Sequence, residues 1–179
     1  LEQHGVRYDP AFCPSDDYEL WARAVRLFPC VNLDEVLVHY RIHAQSLTQA
    51  EWGDMDARAA RVSARELQAL GLPADDTAAQ FHRQLGRGRC VRLADIGQLA
   101  RAEQWLTGVL EANTRCQRYP PQVLQETVSG IWYRVCYHAR HLGFPMLNRY
   151  RRSALRRPAG RRWDELALLK AAMVKDAAS

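Results

Sequence analysis

The sequence predicts a mainly helical protein with a small α/β remnant at its start. Three observations carry this. From residue 51 onward, apolar residues recur three and four positions apart, the spacing of one face of an α-helix. Gly and Pro punctuate that pattern where helices stop and start. Before residue 48 the pattern differs: a stretch opened by two acids leads into a Val- and Leu-rich run that reads as a strand.

Residues 1–14 read as a loop, with Gly5, Pro10 and Pro14. Leu1 to Gly5 has the look of the end of an element already under way. Ser15 or Asp16 can cap the next helix, because a side-chain oxygen accepts the free N–H groups of a first turn. That helix is expected to reach about Phe28, where Pro29 stops it. Its stripe is Tyr18, Trp21, Val25 and Phe28, widened by Leu20, Ala24 and Leu27. Val31 to Tyr40 places Val36, Val38 and Tyr40 on one face of an expected strand.

A polar stretch, Gln45 to Gln49, separates this segment from the helices. One helix is expected over 51–70, stopped by Gly71 and Pro73. A short one aligns Ala78, Phe81 and Leu85 and ends at Gly86. The next starts near Asp95 and aligns Leu99, Ala102, Leu106 and Leu110. Pro120-Pro121 opens another, with Leu124, Val128, Ile131 and Val135 as its stripe. Gly143 and Pro145 break it. A last helix, about 163–177, is expected to bury Leu166, Leu169 and Met173. The domain reading is therefore 1–48 and 49–179, divided by a shift in composition.

At 179 residues and 47% apolar, the chain can build a real core. No apolar run reaches the roughly eighteen residues of a membrane span. The five cysteines, Cys13, Cys30, Cys90, Cys116 and Cys136, are odd in number and widely spaced, which argues against a disulfide framework or zinc site. A reduced cytosolic compartment fits, with all five acting as small apolar residues. Net charge is +5. Residues 1–50 carry four Arg against seven acids, net −3, so the remainder carries +8. Eight arginines and no acid lie between Arg140 and Arg162. An acidic start and a basic end suggest two different jobs.

Ser15-Asp16-Asp17-Tyr18-Glu19-Leu20-Trp21, followed by Tyr40-Arg41-Ile42-His43, resembles the C-terminal half of the catalytic core of a family-2 inverting glycosyltransferase with the GT-A fold. The resemblance covers residues 1–48; the helical remainder matches only as a variable tail. It implies a chain that starts inside an enzyme, after a nucleotide-binding half with Asp-x-Asp metal ligands. That enzyme would move a sugar from a nucleotide-sugar donor to a saccharide or lipid-linked acceptor hydroxyl, with inversion, in bacterial surface polysaccharide synthesis. The resemblance makes Asp17 the catalytic base, closing an x-Glu-Asp motif in which Asp16 replaces Glu. A helix N-terminus favours an ionised carboxylate, which suits a proton acceptor. The ordinary reading of two acids at a helix start is capping. His43 would complete a site for Mg or Mn. Arg41, two residues away on an extended segment, would face the same way. It could reach the donor diphosphate or pair with Asp16 or Asp17. Gly5 falls where the family has a loop near the donor sugar. Tyr18 and Trp21 could line an acceptor pocket, although their helical stripe favours a core role.

The arginine-rich stretch, with Arg149, Arg151, Arg152, Arg156 and Arg157 around Tyr150 and Leu155, has three readings. It could sit on an anionic membrane at the inner face of the cell membrane. It could hold a phosphorylated substrate. It could be a solvated, salt-bridged surface. No nucleic-acid-binding motif accompanies the charge, so no nucleic acid partner is expected. The competing function class is a non-catalytic helical interaction module in which Asp17 and His43 are structural.

Overall fold

The computed structural model describes residues 2–31, 33–39, 52–87, 93–157 and 166–170. It is mainly helical, and among the described residues there is no β-strand. The chain divides into two compact units. The first is 1–67 with 74–79; the second is 68–73 with 80–179. The boundary expected at residue 48 lies outside the described residues.

In the first unit, short 3-10 turns at Glu2–His4 and Pro10–Phe12 lead into α1, Asp16–Ala24. Asp9 caps the second turn by accepting from the Ala11 amide at 2.9 Å. Ser15 stands at the N-cap of α1, but its hydroxyl donates to the Met55 carbonyl instead (3.0 Å), tying α1 to α2, Trp52–Ala69. Helix α1 ends four residues before the expected Phe28. Its last turn tightens into short-range bonds, Leu27 N to Ala24 O (2.9 Å) and Arg26 N to Arg23 O (3.3 Å), ahead of Pro29.

The buried line of α1 is Leu20 and Ala24, not the aromatic stripe. Tyr18, Trp21 and Val25 are about half exposed. Core placement of Trp21 is thus overturned: Leu20 and Ala24, four apart, take the buried face, and Trp21 lies off it. The expected strand is also absent. Residues 33–39 are irregular, with a bend at 34–35. Val31, Leu33, Val36, Leu37 and Val38 are 64–83% exposed. A strand exists only when a neighbour takes its backbone hydrogen bonds, and β-propensity cannot supply one. Tyr40, Arg41 and His43 lie outside the described residues.

The second unit is built on apolar packing. Gly71 (φ +73°) takes the left-handed conformation after α2. Helix α3, Asp76–Arg87, spans both units in sequence; α4, Ile96–Cys116, and α5, Pro121–His138, follow. Asp95 caps α4 through Gln98 N at 2.8 Å. Gln117 closes α4 with φ +49°. Buried Asn113 fastens the following loop, bonding Tyr119 through both its backbone N–H (2.8 Å) and its carbonyl (2.9 Å). Leu85, Leu99, Ala102, Leu106, Val109, Val128, Trp132 and Val135 share one buried cluster. Burial of each large member contributes about 1.5–3 kcal/mol. Trp105 Nε1 donates to His82 Nδ1 (3.2 Å), and burial pushes the His82 pKa down.

Gly143 and Pro145 do not merely break α5. They open a further helix, α6, Phe144–Arg152, with Pro145 in its first turn, where a missing N–H costs nothing. Its Met146, Leu147 and Tyr150 are buried, as is Leu155 beyond it. Residues 166–170 are helical, but Leu168 is the buried residue and Leu166 is exposed; Met173 lies outside the described residues. Among the cysteines, Cys136 is buried while Cys13, Cys30 and Cys116 are exposed, so the expectation of small apolar residues holds only for Cys136; Cys90 lies outside the described residues. No helix among the described residues is long and apolar enough to cross a membrane.

Candidate functional site

The acid pair opens α1 as the sequence indicates. Asp16 is the first helical residue and half-buried; Asp17 is exposed. Asp17 Oδ1 accepts from the Tyr18 amide at 2.6 Å. Its second oxygen is left for solvent or a ligand. Tyr18 and Trp21 stand exposed on the same helix, 46% and 49%, and the Tyr18 hydroxyl lies 3.4 Å from Ser63 Oγ. Trp21 stands four positions from Asp17 and three from Tyr18, the spacings of neighbours on a helix surface. Gly5 has φ +62° and open space around it, a backbone bend that favours glycine.

The residue that holds this helix in place, Glu19, has no role in the motif. It is 2% exposed. Arg23, one turn on, binds it in a fork: Nε to Oε1 at 2.9 Å and Nη2 to Oε2 at 2.7 Å. Arg65 of α2 donates through Nη1 to Oε1 at 2.7 Å. Burial alone would raise the Glu19 pKa, but the hydrogen bonds from Arg23 and Arg65 outweigh it and hold the carboxyl below its ordinary value. The clamp extends outward. Arg23 Nη2 also donates to the Arg7 carbonyl (2.6 Å), and Arg58 to the Ala11 carbonyl (2.6 Å). Arg61 and Arg65 lie over the Phe12 ring, 5.0 and 5.9 Å from its centre. Arg26 pairs with Glu66 at 3.3 Å. The Glu19–Arg23 spacing of four is a visible signal in the sequence; Arg65, 46 positions on from Glu19, is not.

Arg41 and His43, expected beside Asp17, lie outside the described residues. Among the described residues, no three metal-ligating side chains come together. Asp16 and Asp17 alone do not make a donor set for Mg or Mn.

The basic stretch divides. Arg149 Nε pairs with Glu103 Oε2 at 2.7 Å, and Arg157 lies over the Tyr133 ring at 5.1 Å. Tyr150 and Leu155, interleaved with these arginines in the sequence, are core residues, 2% and 1% exposed. Arg151, Arg152 and Arg156 are exposed. A scan against protein-family models finds no match for this chain, and neither curated proteins nor solved structures yield one.

Proposed function

We propose that the first unit is the base-bearing end of an inverting, GT-A-type glycosyltransferase, the remnant of an α/β core completed by a nucleotide-binding half outside this chain. The observation that carries the reading is the exposed Asp17 carboxylate in the first turn of a helix that buried ionic contacts fix in place. A base must be rigidly held and still open to substrate. Asp17 meets both conditions. As an acceptor hydroxyl attacks the anomeric carbon, Asp17 takes its proton, and the nucleotide diphosphate leaves from the opposite face, inverting the centre. Trp21 and Tyr18 would offer aromatic faces to the acceptor sugar. Arg41 would serve the diphosphate, Gly5 the donor loop, and His43 a metal site whose other ligands belong to the nucleotide-binding half.

The exposed apolar run from Val31 to Val38 supports the same reading. It is a strand-forming sequence without a sheet, as expected where the neighbouring strands belong to another part of the core. The donor is a nucleotide-sugar; the acceptor is a saccharide or lipid-linked saccharide. A cytoplasmic site at an anionic membrane surface would rest on the exposed Arg151, Arg152 and Arg156.

The test is a pair of calorimetric titrations with nucleotide-sugars and Mn. The isolated chain should bind none of them with micromolar affinity. The chain joined to the segment that precedes Leu1 in its reading frame should bind one and transfer its sugar. Micromolar binding by the isolated chain, or a preceding segment without alternating strands, helices and an Asp-x-Asp motif, would overturn the reading. The helical interaction module would then stand.

A further inference from the structure

The second unit contains a recess that the transferase reading does not use. It has a volume of about 430 Å³ and is lined by Ile96 and Glu103 of α4 and by Pro145, Asn148, Arg149 and Arg152 of α6. The spacing is regular. Ile96 and Glu103 are seven apart, and the α6 residues stand at intervals of three, one and three, so each helix gives two turns of one face. The volume lies within the range of small-ligand sites.

The polar groups converge in a specific way. Glu103 anchors the Arg149 guanidinium by an ion pair at Nε. The two Nη groups of Arg149 have no hydrogen bond among the described residues. Arg152, one turn on, is exposed and has no partner among them. The Asn148 amide adds neutral donors. Two guanidinium groups against one carboxylate leave the recess net positive. A guanidinium fork matches the oxygens of a phosphate better than any other common anionic group except a carboxylate. Glu103 lines the recess beside its ion pair and could also accept a ligand hydroxyl, and Ile96 and Pro145 supply apolar surface for the C–H face of a polyol.

We propose that this recess binds a phosphorylated sugar or polyol, with phosphate on Arg149 and Arg152 and a hydroxyl on Glu103. Nothing in it depends on the transferase reading. The ligand is either a free sugar phosphate or the headgroup of a polyol phospholipid. Titration of the chain with glucose 1-phosphate tests the first source, and sedimentation with phosphatidylcholine vesicles with and without phosphatidylinositol tests the second. One of the two should saturate. Arg152→Ala should weaken that binding about tenfold or more, the loss of a charge-assisted contact. Arg151→Ala, on the same helix but outside the recess, should leave it within about twofold. Both variants remove one exposed cation, and circular dichroism should show both folded. Glucose without phosphate should bind at least about tenfold more weakly than glucose 1-phosphate. No saturation with either probe, equal binding of glucose and glucose 1-phosphate, or equal loss in the two variants would overturn the proposal and leave a solvated helix end whose cations complement the α6 dipole.

Discussion

Each of the two units is held together by different physics. The second buries a continuous apolar cluster around Trp132, Leu106 and Leu99. The first buries few large apolar side chains and places a carboxylate, Glu19, among them, with guanidinium groups from two helices upon it. Its large apolar residues, from Trp21 to Val38, are mostly outside. Apolar packing gives stability with little regard to direction. An ion cluster gives less net stability but fixes orientation, because its geometry must be met or the charges are left unpaired. In the proposed transferase, where Asp17 has to be presented at a set angle, the second kind of bond is the useful one.

The contrast can be broken at either end. The largest effect belongs to the second unit. Trp132→Ala should cost about 3–5 kcal/mol, since the ring is fully buried and its removal leaves a cavity. Chemical denaturation followed by amide exchange of α4 and α5 would measure it. A loss under about 1 kcal/mol would show that the cluster is not what holds the unit.

Next comes Glu19→Gln. A complete break in a buried pair costs about 3–5 kcal/mol, and the partial exposure of Arg23 and Arg65 reduces this to about 2. The readout is amide exchange in α1. The effect should depend on pH with a definite sign. The folded-state pKa of Glu19 lies below its unfolded value, so its contribution is complete above about 4.5, the ordinary glutamate value, and is lost as pH falls through the lower, folded one. Wild type and Glu19→Gln should therefore converge in acid. A gap that persists at about pH 2 would assign the loss to packing. The smallest effect is a gain. Gln117→Gly should stabilise by about 0.5–1 kcal/mol, because Gln117 sits at φ +49° where glycine is at ease. Thermal melts would read it.

The helices of the second unit are legible in the sequence because period, caps and stops agree. Asp95 and Pro121 mark starts that the apolar stripes of α4 and α5 already require. Helix α6 is not legible. Arginine makes up a third of its residues, and Gly143 and Pro145 read as terminators although both are also starting signals. In the first unit the rules mislead. Tyr18, Trp21 and Val25 have helical spacing and high hydrophobicity, but spacing does not say which of two possible stripes finds a partner. The run from Val31 to Val38 has strand composition, yet pairing is a property of the neighbour. Glu19 looks like an ordinary surface glutamate because Arg65, which completes its burial, is distant in sequence. Asp17 is legible from its position at a helix start, and the structure places it there.

The measurement that tests the proposed transferase most directly is single-turnover sugar transfer by Asp17→Asn in a protein that joins this chain to the nucleotide-binding half proposed for it. The substitution leaves the Glu19 clamp intact, so α1 exchange and nucleotide-sugar affinity should match wild type, while transfer falls about a hundredfold or more through loss of the base. Transfer at the wild-type rate would contradict the role of Asp17 and return the acid pair to helix capping.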